Sequence, residues 1–148
     1  MIMHEEDRWQ LARFVAAQRG TYADALAEIR DGDKQSHWMW FVFPQLAGLG
    51  HSSMAQRYAI SGVEEARAYL GHPVLGPRLV ECANAAIAVP RASANDIFGS
   101  PDDMKLRSSA TLFAHVSPPG SPFHQLLERF FGGHPDPATL ELLAGKRR

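Results

Sequence analysis

Six consecutive apolar residues, from Trp38 to Phe43, form the most restrictive segment of this 148-residue chain. In a helix their side chains would point in every direction, and in a strand both faces would need cover, so the segment requires burial on all sides. A chain of this length provides one core and is short for two. We therefore expect one helical domain over residues 1–148, with a frayed tail at 145–148.

Helical patterns recur along the sequence, whereas the alternation typical of strands does not. Three pairs place a capping residue directly before proline, which is typical of a helix start with proline at the first helical position: Ser100-Pro101, Ser121-Pro122 and Asp136-Pro137. Capping-box spacings predict further starts at Thr21, Ser53 and Ser61. The predicted fold class is all-α, a compact single domain of about eight short helices.

One of these helices is predicted to be the longest and the central packing element. Between residues 73 and 89, Leu75, Leu79, Ala83 and Ile87 follow one another at intervals of four. That spacing places them on one apolar face.

Charge and cysteine content limit the partners and the compartment. The formal net charge is -1, from 15 Lys and Arg against 16 Asp and Glu, so neither nucleic acid nor an anionic membrane is an expected partner. A single cysteine, Cys82, forms no internal disulfide, which fits a reducing interior. The N-terminal residues lack a signal-peptide pattern, and no apolar run approaches a membrane span. We expect a cytoplasmic protein, with its oligomeric state left open.

Several classes of site lack their motifs. The seven histidines show no metal-ligand spacing, and the sequence contains neither a serine-hydrolase elbow nor a Walker-type phosphate loop. We therefore predict no metal and no cofactor.

A glycine loop, residues 44–53, follows the aromatic run. Its glycines permit close approach of the backbone, and its serines precede a helix whose free N–H groups favour an anion. Glycine and serine also simply form turns and caps, and that alternative stays open. The candidate ligand-binding residues here are Pro44, Gln45, Gly48, Gly50, Ser52 and Ser53, together with Trp38 and Trp40, which either belong to the core or stack on a planar ligand.

A second candidate segment is SPDDMKLRSSATLF, residues 100–113. Helical projection places Lys105 on a mostly apolar side, where a lysine either extends to the rim or meets an anion. Ser108 and Ser109 would add hydroxyl donors to such a ligand site. Asp103 and Arg107 are spaced for an ordinary ion pair. The candidates for an acid or base are Glu64, Glu65, Asp102 and Asp103, and the sequence does not choose among them.

The blocks SHWMWFVFPQLAGLGHSSMAQRYAISGVEEARAYLGHPVLGPRL, FGSPDDMKLRSSATLF and FFGGHPDPATL closely resemble, in order and spacing, a bacterial family catalogued as domain of unknown function 1810. That resemblance implies a compact all-α domain. Some members carry the label calpastatin, although that inhibitor is largely disordered and this sequence is patterned as helices.

Residues 104–143 are more distantly similar to the NADAR superfamily, helical proteins associated with NAD and ADP-ribose derivatives, some of which cleave N-glycosidic bonds. That group's Ser-Glu-His-Tyr-like block would fall near residues 52–55, where this sequence has no Glu.

Two hypotheses follow. The first is a pocket for a small phosphorylated or nucleotide ligand of ADP-ribose type, in an N-glycosidase-like hydrolase, with Lys105 and the glycine loop holding phosphate. The second is a non-catalytic helical module that binds a protein through an exposed aromatic patch. The positions of Trp38 and Trp40 relative to Lys105 discriminate between them.

Overall fold

The computed structural model describes residues 7–145, and every regular element in that range is an α-helix. The ten helices are α1 (Ala12–Gln18), α2 (Tyr22–Arg30), α3 (Met39–Val42), α4 (Ser53–Arg57), α5 (Val63–Gly71), α6 (Leu75–Ile87), α7 (Ala94–Phe98), α8 (Asp102–His115), α9 (Pro122–Phe131) and α10 (Pro137–Leu143). The all-α prediction is confirmed, and the count exceeds the expected eight because α3 and α7 are additional short turns. Residues 146–148 of the predicted tail lie outside the described range.

Two of the three proline-marked helix starts are confirmed. The Ser121 side chain accepts hydrogen bonds from the backbone N–H groups of Phe123 and His124 at the start of α9, and Asp136 accepts one from Thr139 at the start of α10. The third prediction is wrong in register. Pro101 itself occupies the capping position and α8 begins one residue later, so Ser100 lies outside the helix and does not cap it.

The starts predicted from capping boxes are displaced or lack their side-chain bond. Helix α4 is capped by Ser52, one residue before the predicted Ser53, and α5 by Gly62 rather than Ser61. Thr21 precedes α2 without a side-chain capping bond. The complete capping box lies at α7, where Ser93 and Asp96 each accept from the other's backbone N–H.

Helices α6 and α8 share the central position. The predicted apolar face of α6 is largely correct, since Leu75, Leu79 and Ala83 are all buried. Helix α8 is longer, 14 residues against 13, and it packs against α5, α7, α9 and α10, whereas α6 packs against α2, α5 and α9. The prediction that α6 is the longest helix is therefore wrong. The length and central position of α8 were not predicted, because its buried residues include serine and threonine as well as apolar side chains.

The aromatic run lies in the core as one short helical turn, with Trp38, Phe41 and Phe43 all buried. Phe98, at the end of α7, presents an edge-on contact to both Trp38 and Phe43, with ring centroids 6.3 and 5.8 Å away. The run therefore joins α7 to the rest of the core. Among residues 7–145, no helix combines the length and apolar character that crossing a membrane would require.

Candidate functional site

Lys105 and Trp40, both predicted from the sequence as ligand-binding residues, lie in contact. The Lys105 ammonium is 5.2 Å from the centroid of the Trp40 ring, within range of a cation–π interaction. The same ammonium lies 3.6 Å from Asp102 Oδ1, one helical turn earlier on α8. The Lys105 side chain is about one-quarter exposed, at 25%. It is therefore fixed by two weak contacts and remains accessible from solvent.

A second lysine, Lys34, completes this site, and the sequence analysis did not identify it. Its ammonium lies 2.8 Å from Asp102 Oδ2 and 4.7 Å from the centroid of the Trp38 ring. Its side chain is only 6% exposed. We call Lys34, Asp102 and Lys105 the charge cluster. Because Lys34 and Asp102 come from distant segments, no local motif signals the pairing.

Glu28 anchors the loop that carries Lys34. Its carboxylate accepts hydrogen bonds from the backbone N–H groups of Gln35 and Ser36, from the Ser36 hydroxyl and from the Trp38 indole. Burial alone raises the pKa of Glu28, but the donors from Ser36, Gln35 and Trp38 outweigh burial and lower that pKa to about 2. The anion is therefore the form that holds the loop at neutral pH.

The two tryptophans differ in accessibility. Trp38 is 0% exposed, and its indole N–H donates to Glu28 Oε1 at 2.8 Å. Trp40 is half-buried and lies under the Lys105 ammonium. Of the two, only Trp40 offers part of a ring face to a ligand without disruption of the core.

The glycine loop lies against α10 and contributes to separate cavities. Gly48 lines a groove of about 710 Å³ between the loop, the start of α5 and α10, and both Gly48 and Gly50 line a smaller cavity of about 130 Å³. Neither Lys105 nor Trp40 lines either cavity. The structure thus brings Lys105 together with Trp40, and does not bring it together with the loop in these cavities.

Two of the remaining loop residues, Ser52 and Gln45, accept backbone hydrogen bonds. Ser52 Oγ accepts the backbone N–H of Ala55, and the Gln45 carbonyl accepts the backbone N–H of Ile60. Pro44 is buried, whereas Ser53 is exposed at the first position of α4.

The two serines of α8 differ in their hydrogen bonding. Ser108 Oγ lies 3.2 Å from both the Met104 carbonyl and Asp136 Oδ2, so it links α8 to the start of α10. Ser109 Oγ is buried and has no hydrogen-bond partner among the described residues. Both remain predictions as ligand contacts.

Among the four candidate carboxylates, Asp102 is the one placed in the charge cluster. Glu64 is exposed, and Glu65 is buried in an ion pair with Arg13 at 3.1 Å. Asp103 accepts from the Asn95 side-chain amide at 3.2 Å.

The expected ion pair between Asp103 and Arg107 does not form. The Arg107 guanidinium instead donates to the backbone carbonyls of His134 and Pro135. Helical spacing permits an i, i+4 pair but does not exclude a competing backbone acceptor from another segment.

The chain is similar to one solved structure and to one family model. It aligns with the crystal structure of the conserved hypothetical protein Rv1873 from Mycobacterium tuberculosis at 51% sequence identity and a TM-score of 0.91, over 93% of this chain and 99% of that one. No curated protein matches it. The family model described as "Protein of unknown function (DUF1810)" matches residues 8–143. This chain therefore belongs to the DUF1810 family.

Proposed function

We propose that Trp40, Asp102 and Lys105 bind a small nucleotide-type ligand of the ADP-ribose class, and that the protein hydrolyses an N-glycosidic bond in it. One observation carries the proposal: an accessible ammonium lies between an aromatic face and a carboxylate. An ammonium in that position pairs with a phosphate, and the indole stacks on a base or sugar. The distant resemblance of residues 104–143 to the NADAR superfamily supports the same ligand class.

In the proposed reaction, Asp102 stabilises the cationic, sugar-like transition state, as a carboxylate does in glycosidases. The bond between the anomeric carbon and the base nitrogen breaks, and its electron pair leaves with the nitrogen. Water attacks the anomeric carbon, and for a base that is neutral in the substrate, such as adenine, the proton that water loses is transferred to the departing nitrogen. For a pyridinium nitrogen, as in NAD, the base leaves neutral and that proton goes to solvent. The products are the sugar hydroxyl and the neutral base, so atoms and charge balance without a cofactor.

The alternative, a protein-interaction module with an exposed aromatic patch, has less support. Trp38 is buried and Trp40 is half-buried, and the large apolar side chains exposed within residues 7–145 are Met104 and Leu140. These are isolated aliphatic side chains rather than an aromatic patch.

The binding test is a calorimetric and thermal-shift titration with AMP, ADP-ribose and NAD. At a free concentration 100 times its dissociation constant, a probe that binds stabilises the fold by about 2.7 kcal/mol. We expect Lys105→Met, which keeps the apolar stem, to weaken binding at least tenfold, which corresponds to about 1.4 kcal/mol. Arg67→Met, an equal charge change at an exposed position of α5, is the matched control. Equal affinity in wild type and Lys105→Met, or no binding of any probe, would refute the proposal.

The catalytic part requires a product assay. Release of free base from the best-bound probe is measured by chromatography, and Asp102→Asn is expected to abolish release while the variant stays folded. If the wild-type protein binds the probe but releases no free base, the hydrolase proposal is refuted and only the ligand-binding proposal stands.

A further inference from the structure

We infer that Lys34 is a positioning residue of the proposed ligand site, held by Glu28, which orients Asp102 while Lys105 alone meets the ligand's anion. This inference rests on the proposed function. It assigns different roles to two lysines that lie on either side of the same carboxylate.

The contacts of Lys34 are those of an internal structural cation. A lysine ammonium has three donors and no acceptor. The Lys34 ammonium donates a hydrogen bond to the Ser36 carbonyl, forms an ion pair with Asp102 Oδ2, and also lies over the Trp38 ring. Its backbone N–H donates to the Ile97 carbonyl at 2.8 Å, which ties this part of the chain to α7. With its side chain 6% exposed, Lys34 has little access to an incoming ligand.

Glu28 holds the segment from which Lys34 extends. The Ser36 backbone is fixed from both directions, since its N–H donates to Glu28 Oε1 at 2.9 Å and its carbonyl accepts from the Lys34 ammonium. The Trp38 indole donates to the same Glu28 oxygen at 2.8 Å. Hydrogen bonds therefore link Glu28 on α2 to Ser36 and Ser36 to Lys34, and an ion pair continues from Lys34 to Asp102 on α8.

Lys105 has the opposite character. It lies 3.6 Å from Asp102 Oδ1, farther than Lys34 lies from Oδ2, and its side chain is four times as exposed as that of Lys34, 25% against 6%. A ligand phosphate can compete with Asp102 for the Lys105 ammonium, because the ion pair that must break first is weak and partly exposed. Lys34 holds the Asp102 carboxylate in place, and Lys105 exchanges its contact with Asp102 for one with the ligand's anion.

The first test uses the ligand-free protein, so it does not depend on the proposed function. Nitrogen-15 NMR follows the Trp38 indole N–H and the Lys34 ammonium. We expect Glu28→Gln to shift both signals together, because Ser36 links them. Glu64→Gln, at an exposed position of α5, is the matched control and should move neither. A Glu28→Gln spectrum in which the Lys34 signal is unchanged would overturn the inference.

The second test separates positioning from direct contact through the salt dependence of AMP affinity. Contacts between accessible charges are screened by salt, and contacts within the protein interior are screened much less. We expect Lys34→Met to lower AMP affinity about fivefold without changing its salt dependence, and Lys34→Arg to recover part of that loss. Lys105→Met should both lower the affinity and flatten the salt dependence.

Flattening of the salt dependence by Lys34→Met would make Lys34 a ligand contact and refute the positioning role. Undiminished affinity in Lys34→Met would refute it as well. If the wild-type protein binds none of AMP, ADP-ribose and NAD, the proposed function fails, and the NMR test still decides whether Glu28 and Lys34 are coupled.

Discussion

The two ends of the aromatic run lead to surfaces of different chemistry. Before the run, the buried Lys34 reaches across to a carboxylate on α8, and within the first half of the run the half-buried Trp40 lies under a second lysine. After the run, the glycine loop is held by the Ser52 cap and by the backbone pairing of Gln45 with Ile60. The charge cluster is thus built from side-chain ion pairs and cation–π contacts, whereas the loop is held by a helix cap and backbone hydrogen bonds.

This difference decides which end suits an anion. Among residues 7–145, Glu141 is the one charged residue that lines the 710 Å³ groove beside the glycine loop, and the other lining residues in that range are mostly apolar. A carboxylate facing an apolar wall disfavours phosphate. The charge cluster instead offers Lys105 next to an aromatic face. Glycines alone, without a cation nearby, are weak evidence for a phosphate site.

The largest expected effect is a loss of stability, and it distinguishes Trp38 from Trp40 within the aromatic run. Trp38→Ala removes a fully buried ring that packs edge-on against Phe98, and it removes the indole donor to Glu28. We expect the free energy of unfolding to fall by about 3–5 kcal/mol. Urea denaturation monitored by circular dichroism measures the loss.

Trp40→Ala is the matched variant. Because Trp40 is half-buried, we expect it to cost less than half as much stability as Trp38→Ala while it weakens AMP binding. Equal stability losses in the two variants would contradict the division of the run into a core tryptophan and a ligand-facing tryptophan.

The sequence predicted the all-α class and two helix caps, but it did not predict the exact starts of α4, α5 and α8 or any long-range contact. The caps at Ser121 and Asp136 were predictable because a capping side chain and the backbone N–H groups that donate to it lie within three residues of each other. Lys105 and Trp40 were each named as candidates from the sequence, but their contact depends on how α8 packs. Lys34 was missed because its partner, Asp102, lies far along the chain.

Serine side chains on α8 show a second limit of sequence reasoning. Ser108 stays a prediction as a ligand donor, and in the structure its hydroxyl lies within hydrogen-bonding distance of the Met104 carbonyl one turn earlier and of Asp136. A serine that bonds to its own helix has the same sequence pattern as one that awaits a ligand. Only the packed structure distinguishes the two uses.

Glu28 is expected to make the stability of the fold depend on pH in the acid range. The folded-state pKa of Glu28 is lowered to about 2, so its stabilising contribution is complete above the unfolded-state value of about 4.5 and is lost as the pH falls toward 2. After allowance for solvent screening, we expect this contribution to be about 1–2 kcal/mol.

Unfolding free energies of wild type and Glu28→Gln should therefore differ by that amount at pH 6 and converge near pH 2. Denaturant titrations across this range provide the measurement, with Glu64→Gln as the control that keeps the wild-type profile. A constant difference between wild type and Glu28→Gln at every pH would show that the carboxylate's charge is not what holds the loop.

The smallest expected effect lies at the glycine-loop end and separates capping from ligand binding. Ser52→Ala removes the hydroxyl that accepts the Ala55 N–H, so we expect a loss of about 1 kcal/mol in unfolding free energy. Ser53→Ala, at the exposed first position of α4, should change stability by less than about 0.5 kcal/mol. AMP affinity should stay within twofold of wild type in both variants, because the charge cluster is intact. A tenfold loss of affinity in Ser52→Ala would instead place the anion at the helix start beside the glycine loop, and the charge cluster would then be an ordinary structural ion pair.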